Sequence, residues 1–97
     1  MNYRLVRFEL GPDTLSAAET IFNDLVPAIK SQAGCHSVVA FGDGATGKYG
    51  FAVTWESEQA SEAAKMVIGP KLSKYLADNN ASGNPFSSEL LAILASM

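Results

Sequence analysis

The sequence is short of charge. Asp, Glu, Lys and Arg make up 18% of its 97 residues while apolar residues reach 47%. An ordinary globular domain carries about 25% charged residues. The seven cations, Arg4, Arg7, Lys30, Lys48, Lys65, Lys71 and Lys74, are scattered along a chain of net charge −3. They form no basic stripe, which argues against a nucleic-acid partner. Cys35 is the only cysteine, so no intramolecular disulfide can form. A reduced, cytoplasmic setting is expected, with Cys35 acting as a small hydrophobe. The only histidine, His36, is adjacent to it. Neighbours on a strand point to opposite faces, so no metal-ligand cluster arises and no metal is expected. The longest apolar run, Leu90 to Ala95, is far below the roughly 20 residues of a membrane span. Arg4, Arg7 and Glu9 interrupt the N-terminal apolar stretch, which does not look like a signal peptide. Repeats and low-complexity segments are also missing. The length fits one domain over residues 1–97, soluble and without membrane contact.

What is present is a regular alternation of patterns. Tyr3 to Leu10 alternates with period two, with Val6, Phe8 and Leu10 on one face and Tyr3, Leu5, Arg7 and Glu9 on the other. Gly11-Pro12-Asp13 ends this strand. Asp13, or Ser16 with Glu19, offers a helix start. Leu15, Ala18, Phe22, Leu25 and Ile29 then recur at helical spacing, with Ile21 widening the stripe. Pro27 should kink or loosen the last turn, and Gly34 ends the helix. Cys35 to Phe41 reads as a second strand. Lys48 to Glu56 reads as a third, with Tyr49, Phe51, Val53 and Trp55 in one row. Gly42, Gly44 and Gly47 lie in the hairpin loop between them; they open no helix, so they are no phosphate loop. Ser57 caps a second helix, whose expected apolar face is Ala60, Ala63, Ala64, Val67, Leu72 and Leu76. Gly69-Pro70 should break or bend it. Asn79 to Pro85 reads as a loop and Phe86 to Leu94 as a last strand.

The order β-α-β-β-α-β predicts an α+β, ferredoxin-like fold: a four-stranded antiparallel sheet with two helices on one face. A sheet covered on one side should carry one polar face. These strands are apolar on both phases, and the surplus, with Phe51, Val53 and Trp55, is assigned to the uncovered face. A homodimer that buries this second face against its copy is expected.

The element order, the segments Leu25-Val26-Pro27-Ala28-Ile29 and Ala33-Gly34, and Gly50-Phe51-Ala52-Val53-Thr54-Trp55-Glu56-Ser57 before an Ala/Glu-rich helix resemble the antibiotic biosynthesis monooxygenase-like domains of the dimeric α/β-barrel superfamily. The resemblance covers nearly the whole chain. It implies a homodimer with a pocket in each subunit, between the open sheet face and the helices. It also implies a small aromatic or hydrophobic ligand, and oxygenation without a cofactor in some members. Trp55 corresponds to the tryptophan that lies at the pocket in active members, and Arg7 and His36 join it as candidate catalytic groups. Arg7 would stabilise an oxyanion; His36 or Glu9 would accept a proton. Tyr49, Phe51, Val53, Glu9 and Phe22 are the candidate substrate-binding residues. Arg7 and Glu9 also have a plainer role open to them, an ion pair on one strand face. The haem-degrading relatives hold iron through a histidine on the second helix; this helix has none, so haem is not expected. The asparagine that phenol-oxidising members carry shortly before the tryptophan is replaced within Gly50 to Thr54. A non-catalytic binding or assembly domain, as in the stress-responsive α/β-barrel branch, is the alternative.

Overall fold

The computed structural model describes residues 1–96. The elements run β1 (Asn2–Glu9), α1 (Leu15–Lys30), β2 (Cys35–Asp43), β3 (Lys48–Trp55), α2 (Glu58–Asp78) and β4 (Phe86–Ala92). The strands form one sheet in the order β2-β3-β1-β4, and each neighbouring pair is antiparallel. This is the expected ferredoxin-like α+β architecture. Among the described residues no helix is long and apolar enough to cross a membrane.

The register decides which side chains share a face. Val6 pairs with Phe51, Phe8 with Tyr49 and Arg4 with Val53. Val38 and Ala40 continue the same rows on β2. These residues lie under the helices, where Phe8, Tyr49, Phe51, Val53 and Trp55 join Ile21, Leu25, Ile68 and Leu72 in the core. The aromatic row of β3 therefore sits on the covered face, not on the open one. The reason is the pairing phase. β1 presents Val6 and Phe8 inward, and a cross-strand partner must share its neighbour's face.

The open face carries Tyr3, Leu5, Arg7 and Glu9 of β1. Beside them lie Lys48, Gly50, Ala52 and Thr54 of β3, Val39 and Phe41 of β2, and Glu89 and Leu91 of β4. Val39, Phe41 and Leu91 are exposed. The Phe41 ring lies across Gly50: a Cβ there would stand 2.6 Å from Phe41 Cζ and collide with the Val6 carbonyl. Glycine at 50 is thus required by close approach rather than by backbone dihedral.

Both helices run through their prolines: Pro27 lies inside α1 and Pro70 inside α2. An interior proline costs about 3 kcal/mol. Ile29 beyond Pro27, and Leu72 and Leu76 beyond Pro70, are buried. Each buried aliphatic side chain contributes roughly 1.5–3 kcal/mol, enough to carry the helix past the break. Two further expectations are corrected. Asp13 has φ 58 and does not cap α1. Thr14 takes that position, yet its side chain makes no capping bond. On α2 the buried face is Ser61, Ala64, Ile68, Leu72 and Leu76, whereas Val67 is exposed. Ser57 does cap α2, accepting from the Ala60 N–H at 3.1 Å. The β2–β3 hairpin closes through Gly47, whose φ of 79 suits only glycine well, and whose N–H donates to the Asp43 carbonyl at 2.8 Å.

Candidate functional site

The covered face has two halves. Under α1 it is filled by rings. Phe22 meets Phe51 edge-on at a centroid distance of 5.6 Å, and Phe8 stands 5.9 Å from both Phe51 and Tyr49. Such pairs stabilise beyond their buried area. The Tyr49 hydroxyl lies 2.9 Å from Thr14 Oγ1. Thr14 gives its own hydrogen to the Gly11 carbonyl, so Tyr49 donates. Phe22 and Tyr49 are therefore packed against the core under α1, although Tyr49 also borders a wider surface groove.

Under α2 the packing opens. A cavity of about 180 Å³ lies between the sheet and α2. Its walls include Val6, Phe51, Val53 and Trp55 from the sheet, and Ile68 and Leu72 from above. About 150 Å³ suffices for one benzene ring. The small residues Ser61, Ala64 and Gly69 form part of the α2 wall. Large side chains there would fill the space.

Two cationic residues line this cavity, the exposed Lys65 and the buried Arg4. Arg4 projects from β1 on the covered face and is only 8% exposed. Its Nε donates to Ser61 Oγ at 3.1 Å, Nη1 to Ser88 Oγ at 3.1 Å and Nη2 to Glu62 Oε1 at 2.8 Å. A buried cation is tolerated when paired and hydrogen-bonded. Beside it, Trp55 is 3% exposed. Its indole nitrogen is the one buried side-chain polar atom without a hydrogen-bond partner among the described residues. Such an orphan costs about 1–3 kcal/mol and marks a place where an acceptor is wanted.

The sequence candidates separate accordingly. Trp55, Phe51 and Val53 line the cavity together. Arg7 and Glu9 do not: they lie on the opposite face of the sheet. They border a wider groove of about 690 Å³ with Phe41, Asp43, Lys48 and Phe86. That groove mixes both signs of charge, and its polar groups are mostly exposed and solvated, so it lacks a converging polar set. Arg7 and Glu9 form no ion pair with each other; among the described residues the ion pairs are Arg4–Glu62 and Lys74–Asp78. His36 is exposed, sits at a bulge of β2 and borders neither space; its carbonyl accepts from Lys30 Nζ at 2.7 Å. Arg4, Ser61 and Ser88 are the residues that the sequence alone did not single out. The available signal for Arg4 was its phase: it shares the period of Val6 and Phe8.

Cys35 is partly buried, and desolvation pushes its thiol pKa up, opposed in part by the nearby Lys30 charge. No group of three or more potential metal-ligating side chains is present among the described residues.

No protein-family model matches the chain, and no curated protein does. Solved structures do. The chain is similar to Rv0793 from Mycobacterium tuberculosis, at 20% identity and TM-score 0.74 over 98% of this chain and 96% of that one. It is similar to the monooxygenase of the ActVA-Orf6 gene of Streptomyces coelicolor, solved with Nanaomycin D. Identity there is 15% and TM-score 0.76, over 99% of this chain and 89% of that one. SnoaB, a cofactor-independent oxygenase from Streptomyces nogalater, matches at 12% identity and TM-score 0.72 over 99% and 95%. At such identities the likeness establishes the fold: this chain has the ferredoxin-like fold of the antibiotic biosynthesis monooxygenase-like proteins. Fold alone does not carry an activity.

Proposed function

We propose that the chain is a small, cofactor-independent monooxygenase-like protein that binds an aromatic metabolite between its sheet and α2. One observation carries this reading: an apolar cavity large enough for a ring holds, on its own wall, a guanidinium locked by Ser61 and Ser88. The oxygenase activities of two structural neighbours, SnoaB and the ActVA-Orf6 monooxygenase, support it.

The reaction class needs an electron-rich phenol. One oxygen atom of O₂ enters a ring carbon para to the hydroxyl and becomes a quinone carbonyl. The other leaves as water, with the two hydrogens lost from the ring and its hydroxyl. The substrate supplies all four electrons, so no reductant is required. Phe51, Val53 and Trp55 hold the ring and exclude water, which strengthens every electrostatic interaction inside. Arg4 takes the oxyanion-stabilising role that the sequence assigned to Arg7. A fixed cation beside the phenol oxygen favours its ionised form, which lessens the need for a dedicated base.

A homodimer belongs to the same reading. Val39, Phe41 and Leu91 leave apolar area exposed on the open face, and a second copy is the economical cover. One feature favours the alternative of a binding module without turnover: no histidine, carboxylate or tyrosine is among the side chains that line the cavity. Oxygen uptake with a panel of electron-rich phenols, from single-ring compounds to anthrone-like ones, separates the two. Uptake by the protein and its loss in Trp55→Ala are the expected outcome. Ligand binding with no uptake across the panel would leave only the binding module.

A further inference from the structure

We infer that the cavity selects an aromatic ligand of one ring that carries an anionic oxygen, held by Arg4, Ser61 and Ser88. The inference rests on reading this cavity as a binding site and adds the charge and size of what enters it.

Donors outnumber acceptors on the wall of this cavity. A guanidinium carries five N–H groups, and three of Arg4's hydrogen bonds are accounted for by Ser61, Ser88 and Glu62. Two N–H groups therefore have no side-chain partner. Both serine oxygens already accept from Arg4, which leaves their hydroxyl hydrogens to give. The Trp55 N–H is buried and lacks an acceptor. Lys65, one helical turn beyond Ser61, also borders the cavity and is a donor without acceptor capacity. Every side-chain polar group of the wall thus has hydrogens to offer. The one nearby carboxylate, Glu62, is half exposed and already engaged by Arg4. A neutral alcohol or amide would bring hydrogens of its own with little to receive them. A carboxylate or phenolate brings only acceptors, which is the complement of this wall.

Size sets the second limit. About 180 Å³ exceeds by little the roughly 150 Å³ of a cavity known to take one benzene ring, so a three-ring system could not be enclosed and would leave apolar surface in water.

Trp55 is the only tryptophan, so its fluorescence reports occupancy directly. Benzoate, 4-nitrophenolate, benzyl alcohol and anthracene-9-carboxylate are titrated into the wild-type protein. The expected result is saturable quenching by at least one of the two single-ring anions. Its Kd should be at least tenfold below that of benzyl alcohol, with the anthracene acid weaker still. The benzoate and nitrophenolate arms distinguish a carboxylate ligand from a phenolate. Ser88→Ala should weaken the anion severalfold and leave benzyl alcohol unchanged; Arg4→Gln, if folded by circular dichroism, should abolish the preference. Equal affinity for the alcohol and the anions would overturn the charge selection while leaving an aromatic site standing. Tighter binding of the three-ring acid would overturn the size limit. No response to any compound would remove the binding site itself, and the proposed function with it.

Discussion

Arg4 and Arg7 lie three residues apart on the same strand and have opposite fates. Arg4 faces the helices, is nearly buried, and is held by Ser61, Ser88 and Glu62. Arg7 faces the open side of the sheet, is exposed, and has no ion-pair partner among the described residues. The same contrast runs through the aromatics. Phe51 is 1% exposed and sealed under both helices; Phe41, on the neighbouring strand, is 38% exposed on the other face. Chemistry of the side chain is constant in each pair. What differs is the face, so dielectric and packing decide what each residue does.

The largest expected break of this comparison is in the aromatics. Phe51→Ala should cost about 3–5 kcal/mol in urea unfolding. Phe41→Ala should cost only about 1–2 kcal/mol in a monomer, because the ring is already partly exposed and gives up less buried area. If the open face pairs with a second copy, Phe41→Ala should also shift the sedimentation profile from dimer towards monomer. A protein that sediments as a monomer at tens of micromolar, before and after the substitution, would refute the homodimer.

The arginines come next. Arg4→Met should destabilise by about 1–3 kcal/mol, because buried Ser61 loses its partner. Arg7→Met should stay within about 0.5 kcal/mol, as surface substitutions usually do. Equal effects would mean that the two faces are alike in polarity, contrary to the buried and exposed environments described above. The smallest effect concerns Cys35, which the register places on the covered face opposite Trp55. Its thiol pKa is raised, chiefly by burial, so less thiolate exists at a given pH. Alkylation by iodoacetamide near pH 8 should be slower than for a free cysteine peptide. The linked stability is present below the unfolded thiol pKa and is lost as pH rises through the raised folded one. A rate equal to that of the peptide would show that the folded chain does not desolvate this thiol.

Much of the architecture was legible in the sequence because periodicity is local. The period of two in β1 and β3, the helical spacing of Leu25 and Ile29, and the cap at Ser57 each need only a few neighbouring residues. Pro70 does not break α2, for the complementary reason. The proline's penalty is local, while the burial of Leu72 and Leu76 that outweighs it is not. Part of the site was legible too, since Phe51, Val53 and Trp55 share one phase. Its polar half was not. Ser61 and Ser88 are unremarkable in sequence, and they meet Arg4 only because α2 crosses β1 while β4 pairs beside it.

The sequence by itself determined the order of elements, the two-faced strands and the grouping of side chains into phases, because these follow from backbone geometry and the spacing of apolar residues. Only the tertiary structure decided which phase the helices cover. That choice moved the aromatic row into the core, left Val39, Phe41 and Leu91 outside, and turned Arg4 rather than Arg7 into the buried charge beside a cavity. Strand register and helix placement are long-range, and no short stretch of sequence contains them.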